Sequence, residues 1–294
     1  MLKKAEVRRL LKSGNWMLRM DDDGVAYGGF RWSPLGEWTE TDWSEKATCN
    51  SGGLFGQNAK AAGYCKAGTR LVLCETEGNQ VVVEGNKIKV KRARIIAINE
   101  DIPTEFFAVK NVSLDLRKYT GGRLTLTSVG GYLHVRPNAS LDAPALTSVG
   151  GYLDVSENAS LDAPALTSVG GSLYVRPNAS LDAPALTSVG GYLYVSENAS
   201  LDAPALTSVG GSLYVSENAS LDAPALTSVG GSLDVSENAS LDAPALTSVG
   251  GSLDVSENAS LDAPALTSVG GYLHVRPNAS LDAPALADER KRSC

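Results

Sequence analysis

A chain of 294 residues, 43% hydrophobic and 20% charged with a formal net charge of −7, is long enough for more than one domain. Its longest apolar run falls far short of a bilayer span, which argues against a transmembrane helix. Two histidines and four cysteines without Cys-x-x-Cys spacing argue against a Ser/His/Asp triad and against a zinc site. Charge is unevenly placed: the first 125 residues carry 20 basic and 15 acidic side chains, residues 126–285 only 3 basic and 16 acidic.

In chain order, residues 3–13 read as a short basic helix ended near Gly14. Residues 15–20 and 25–32 read as strands around the turn Asp21-Asp22-Asp23-Gly24. Residues 33–68 are rich in glycine and polar side chains and show little periodicity. Residues 70–77, 80–84 and 87–98 read as successive strands, the last two joined at Gly85-Asn86. Lys89 and Lys91 alternate with apolar neighbours, as on a solvated strand face. All four Trp and all four Phe lie before the repeats, so residues 1–108 can bury a core of their own. A small α+β or mainly β N-terminal domain is expected there. Residues 109–125, with Leu114, Leu116 and Leu124, read as a degenerate coil that caps the C-terminal repeats.

From Leu126 to Ala285 one 20-residue sentence, LTSVGGxLxVxxNASLDAPA, is repeated eight times. Leu153-x-Val155 and Leu161-x-Ala163 alternate with a period of two, so each copy contains short strands with one buried face. No helical stripe fits, and Gly150-Gly151 and Pro164 recur in every copy. Twenty residues suit one turn of a parallel β-solenoid, each strand pairing with its equivalent about 4.8 Å along the stack. One coil cannot bury enough apolar surface to offset its ordering entropy, which is why the copies come as an array. The fold class expected is therefore mainly β: a parallel β-helix (solenoid) over 126–285, with residues 286–294 as a charged C-terminal tail. Gly-Gly is read as a turn device. Asn158 and its equivalents are read as an internal asparagine ladder, and less favourably as Asn-Ala-Ser glycosylation acceptors.

The positions that vary are the informative ones. The residue before the strand leucine is Tyr132, Tyr152, Ser172, Tyr192, Ser212, Ser232, Ser252 or Tyr272. The residue between leucine and valine is His134, Asp154, Tyr174, Tyr194, Tyr214, Asp234, Asp254 or His274. Both flank an inward leucine and so point outward. Arg136-Pro137, Arg176-Pro177 and Arg276-Pro277 follow the strand in three copies, Ser-Glu in the other five. Stacked, these residues form Tyr/His/Asp columns about 34 Å long, in seven steps of ~4.8 Å. Tyrosine-rich faces offer contact area at low entropic cost. Each copy also adds one outward aspartate in Leu-Asp-Ala-Pro, a column of like charges.

The string T-S-V-G-G-x-L-x-V-x-x-N-x-x-L resembles the repeats of receptor L domains and related bacterial and phage leucine-rich-type proteins. That resemblance covers about 160 residues and implies a right-handed parallel β-helix acting as a binding scaffold. The strings CNSGGLFG (49–56), LCETEGNQVVVEGNKIKV (73–90) and RARIIAINE resemble an N-terminal domain of phage and bacterial repeat proteins that carries no assigned activity. A further resemblance, to ADP-ribosyltransferases, rests on Gly53-Leu54-Phe55-Gly56, Ala62-Gly63-Tyr64-Cys65 and Leu71-Val72-Leu73-Cys74-Glu75. It implies paired glutamates Glu75 and Glu77 as an alternative catalytic site.

The function expected is a non-enzymatic, cytoplasmic scaffold for a protein partner. Its binding residues would be Tyr132, His134, Tyr152, Asp154, Tyr174, Tyr192, Tyr194, Tyr214, Asp234, Asp254, Tyr272 and His274. No cofactor, metal or membrane is expected, and nucleic acid is not the expected partner. An acidic rod that mimics nucleic acid stays open as an alternative. So does a homodimer through the C-terminal coil, because a bare last coil exposes unpaired strand edges.

Overall fold

The computed structural model describes residues 2–25, 30–47, 53–61, 68–85, 87–110, 112–116, 119 and 125–286. The chain divides into two compact units, Met1–His134 and Val135–Cys294.

In the first unit, helix α1 (Lys4–Ser13) buries Val7 and Leu10 and stops at Gly14. Gly14 has φ +69°, a conformation glycine adopts without a Cβ penalty, and its N–H caps the Leu10 carbonyl at 2.9 Å. Strands β1 (Trp16–Asp21), β2 (Trp38–Glu40), β3 (Leu54–Gly56), β4 (Arg70–Val83) and β5 (Lys87–Ile98) form one antiparallel sheet. Its order is β1-β4-β5-β2, with β3 also on β5. The two strands expected over 70–84 are one 14-residue strand, because a register shift between Glu77 and Gln80 absorbs the irregularity without ending the pairing. The hairpin reverses at Glu84 (φ +52°) and Gly85 (φ +74°). β2 and β3 lie in the stretch where no periodicity is visible: three residues are too few to alternate, and long-range pairing to β5 makes them strands. Val25 and Arg31 pair in an isolated bridge, while residues 26–29 of that expected strand lie outside the described residues.

One face of the sheet packs Met17, Val72, Cys74, Ile88, Val90 and Ile95 into a core. Trp16, fully buried, meets Phe106 edge-on at 5.0 Å. Of the two lysines expected on a solvated face, Lys91 is exposed and Lys89 is not. Lys89 is completely buried, donates to the Lys46 carbonyl at 2.5 Å and lies 5.5 Å from the Trp43 ring centroid. The segment around Lys46 covers this strand and supplies the acceptor a buried ammonium requires. Gln57 is also fully buried. Its amide donates to the Ser113 carbonyl at 2.6 Å and accepts from the Ser113 N–H at 3.1 Å, tying the sheet to β6 (Leu114–Leu116).

The second unit is a parallel β-solenoid. In the coil 146–165, strands run over Ser148–Val149, Leu153–Val155 and Ser160–Asp162, and the following coils repeat them in register. The Ser-Val strand has no signature in the sequence, since two residues show no alternation. Leu146, Val149, Leu153, Val155, Ala159, Leu161 and Ala163 are all at most 2% exposed, and each stacks on its own equivalent. Threonines form a ladder of their own: the Thr167 hydroxyl donates to the Thr147 carbonyl at 2.9 Å, and the bond recurs in every step up to Thr267 on Thr247.

Two expectations about the turns are corrected. The asparagines form no internal ladder; from Asn138 to Asn278 all eight sit at exposed corners with φ between +54° and +60°. Among residues with a side chain, asparagine tolerates this left-handed conformation best, so the backbone explains it. Gly170 and Gly171 have no such φ. A Cβ on Gly170 would overlap the Gly150 carbonyl oxygen, and one on Gly171 would come within 2.8 Å of the Gly151 carbonyl carbon. Close approach of successive coils, rather than turn flexibility, demands glycine there. In the last coil Val275 is 41% exposed, whereas Val255 one step earlier is fully buried.

Candidate functional site

The middle ladder sets one outward side chain per coil at a fixed step. Its register pairs Asp154 with Tyr174, Tyr174 with Tyr194, Tyr194 with Tyr214 and Tyr214 with Asp234, then Asp254 and His274. Because the strand backbone is held on both sides, the three tyrosine side chains start from points in register along the stack. Tyr174 and Tyr194 stack with centroids 5.1 Å apart at 10°, and Tyr194 and Tyr214 at 4.6 Å and 6°. Tyr192, from the neighbouring outward position, leans on Tyr194 at 6.1 Å and 48° and is 47% exposed. Burial, followed by the neighbouring phenols, pushes the Tyr194 hydroxyl above its ordinary pKa.

Arginine enters this column from two positions further along. The Arg176 guanidinium lies 4.8 Å from the Tyr174 ring centroid and forks onto the Asp154 carboxylate, with Nε at 3.1 Å and Nη2 at 2.8 Å. Asp154 is buried, and its hydrogen bonds raise the Arg176 pKa further. The arginine of the last copy is held more loosely: Arg276 Nε stands 3.7 Å from Asp254 Oδ1, and His274 Nδ1 stands 3.7 Å from Asp254 Oδ2. Asp234 accepts one hydrogen bond, from Ser236 Oγ at 3.3 Å. Burial and then the Asp254 charge raise its pKa, against the Ser236 bond and Arg276. The arginine roles escaped sequence reasoning, although the Arg-Pro exceptions were the signal.

The structure thus joins Asp154, Tyr174, Tyr194, Tyr214, Asp234, Asp254 and His274 into one column, with Tyr192 leaning on it from the neighbouring position. Tyr152 is 39% exposed, and Tyr272, in the last coil, is 86% exposed with no ring of the stack against it. Tyr132 and His134 belong to the first unit, where the Tyr132 carbonyl accepts from Leu114 N–H at 2.8 Å. Serine at the Tyr152-equivalent position has a bonding role: Ser172, Ser212, Ser232 and Ser252 hydroxyls each accept from the next coil's N–H at 3.0–3.1 Å.

On the third ladder the outward aspartates run in register from Asp142 to Asp282. Burial, then the like charges of Asp162 and Asp202, raise the Asp182 pKa.

Glu75 and Glu77 sit on β4 in the first unit, each opposite an arginine of β5. Glu75 is 8% exposed and gripped from two sides, by Arg9 at 2.7 Å and by Arg94 at 2.6 and 2.9 Å. Burial acts to raise its pKa, but the two guanidiniums prevail and hold it below the ordinary carboxylate range. Glu77 pairs with Arg92. Arg92 and Arg94 both lie over Trp38, with guanidinium carbons 4.6 and 5.0 Å from the ring centroid. Cys74, buried in the core, has its thiol pushed up to about 12 by that burial. Cys49, Cys65, Cys294, residues 62–65 and 121–124, and the tail from 287 lie outside the described residues.

Among the described residues no helix is long and apolar enough to cross a membrane, and no cluster of His, Cys, Asp or Glu is placed to hold a metal ion. Comparison of the chain with protein-family models, with curated proteins and with solved structures returns no match.

Proposed function

We propose that this chain is a non-enzymatic, cytoplasmic protein-binding scaffold with leucine-rich, L-domain-like repeats, whose tyrosine stack is the contact surface. The observation that carries this reading is the three-ring stack Tyr174–Tyr194–Tyr214, half-exposed and ordered by the ladder beneath it. Rings held in place before a partner arrives lose little entropy on binding, which favours affinity per unit of contact area. The ion pairs that occupy Glu75 and Glu77 favour a structural role for those carboxylates over a catalytic one.

The test is replacement of Tyr174, Tyr194 and Tyr214 together by serine, a residue the neighbouring outward position already accepts. Proteins captured from host-cell lysate by the immobilised native chain should be lost from the variant while its circular dichroism spectrum is unchanged. Capture that ignores the substitution would refute the tyrosine face.

A second reading is supported by the in-register aspartate column on the third ladder: an acidic rod that competes with nucleic acid for a basic protein. Its binding would collapse between low and moderate salt, because exposed charges are screened over about 10 Å at 0.1 M. Capture that persists at moderate salt would count against it.

A further inference from the structure

The tyrosine stack ends differently on its two sides. Before Tyr174 comes the guanidinium of Arg176, laid over the ring and forked by Asp154. Beyond Tyr214 the next rung is Asp234, and no arginine among the described residues forms an ion pair with it or lies over Tyr214. Arg176 and Arg276 each stand 22 residues after the aspartate they approach. Arg176 lies over Tyr174 from the same coil, two residues further on, and the residue in that place beside Tyr214 is Ser216. The sequence therefore omits a cation at this one junction of aromatic ring and carboxylate.

The junction also has room and unspent charge. Asp234 carries a short side chain where a fourth ring would otherwise stack, and among the described residues no ring lies on Tyr214 from that side. Its carboxylate accepts only the 3.3 Å bond from Ser236 Oγ. Next to it Asp254 Oδ1 is buried without a hydrogen bond, the nearest cation being Arg276 Nε at 3.7 Å. Asp254 has Arg276 and His274 beside it at 3.7 Å, whereas Asp234 forms no ion pair among the described residues and is the carboxylate left to take a further cation. The flat tyrosine face selects a planar one, which can stack and donate two parallel bonds at once.

We infer that the Tyr214–Asp234 junction is a subsite for a guanidinium: an arginine side chain of the partner lies on the Tyr214 ring and is forked by Asp234, as Arg176 lies on Tyr174 and Asp154. This rests on the proposed recognition face and adds the chemistry of one contact on it. The chain thus displays, within its own array, the arrangement its partner completes.

The experiment is a titration of the full chain, labelled at its tyrosine rings for NMR, with acetyl-Gly-Arg-Gly-amide and with the same peptide carrying citrulline, which keeps the shape and removes the charge. A single arginine keeps diffuse attraction to the acidic array small. The expected result is a saturable shift of the Tyr214 ring signals, at least tenfold weaker with citrulline. It should also be at least tenfold weaker in Asp234→Asn, and in Ser216→Arg, which places a guanidinium beside Tyr214 as Arg176 is placed beside Tyr174 and leaves Tyr214 and Asp234 in place. Equal response to both peptides, undiminished binding to Ser216→Arg, or shifts spread evenly over all tyrosines would overturn the subsite. If the peptide fails while lysate capture still requires the tyrosines, the subsite alone falls. If capture ignores the tyrosines, the recognition face falls whatever the peptide does.

Discussion

Leu213 and Leu273 hold the same place in their coils but not the same surroundings, and truncating each to alanine tests whether stacking supplies the stability. Leu213 is fully buried between Leu193 and Leu233, which are fully buried themselves. Its coil is bonded on both sides: Leu213 N–H donates to the Ser232 carbonyl at 2.9 Å, and the Ser212 carbonyl accepts from Leu193 N–H at 3.0 Å. A backbone pinned this way cannot close over the lost carbons. Leu213→Ala should therefore fall in the upper half of the usual range for buried leucines, about 4 kcal/mol. Leu273 is only half-buried, in a coil whose Val275 is 41% exposed, so Leu273→Ala should cost roughly 1–2 kcal/mol. Urea unfolding followed by far-UV circular dichroism measures the difference. Tryptophan emission serves as an internal reference, because all four Trp lie in the first unit. Equal costs for the two variants, or a larger one at Leu273, would refute the stacking argument.

Gly210→Ala separates two explanations by sign. If coil-to-coil approach excludes a Cβ, as the overlap with the Gly190 carbonyl oxygen requires, the variant loses about 3 kcal/mol in the same urea assay. If glycine only loosens a turn, alanine would stabilise by about 0.5 kcal/mol through the unfolded chain. Glu75→Gln leaves Arg9 and Arg94 without their anion. It should cost about 1–3 kcal/mol at neutral pH, discounted because both arginines are partly exposed. Since the folded pKa of Glu75 lies below that of an unfolded glutamate, its contribution is fully present above the unfolded value and is lost as pH falls through the folded one. Native and Glu75→Gln chains should therefore converge in acid; a gap that stays constant down to low pH would contradict this assignment.

The repeat made the solenoid legible, because eight copies must satisfy one packing problem and the Leu-x-Val alternation says which side chains face in. What the copies have in common hid their reasons. Asn158 and its equivalents look alike whether the side chain or the backbone is what matters, and only the positive φ decides. Gly-Gly reads as a turn until the neighbouring coil is in place, since the atom that excludes a Cβ belongs to residues 20 positions away. The outward tyrosines were legible as residues and as columns, but the near-parallel contact of their rings was not, because it depends on side-chain rotamers that leave no mark in the sequence. The same holds for Arg176 and Asp154, whose pairing spans 22 residues. In the first unit the failures were of another kind. Lys89 carries the pattern of an exposed strand lysine, and no local signal reports that the segment near Lys46 covers it.

The most direct measurement is chemical footprinting of tyrosines, by nitration, on the native chain alone and in complex with a captured partner. Tyr192 and Tyr194 should lose reactivity in the complex, with Tyr214 following, while Tyr272, outside the stack and 86% exposed, keeps it. Protection that spares the stack, or that falls on Tyr272 instead, would contradict a recognition surface built on Tyr174, Tyr194 and Tyr214.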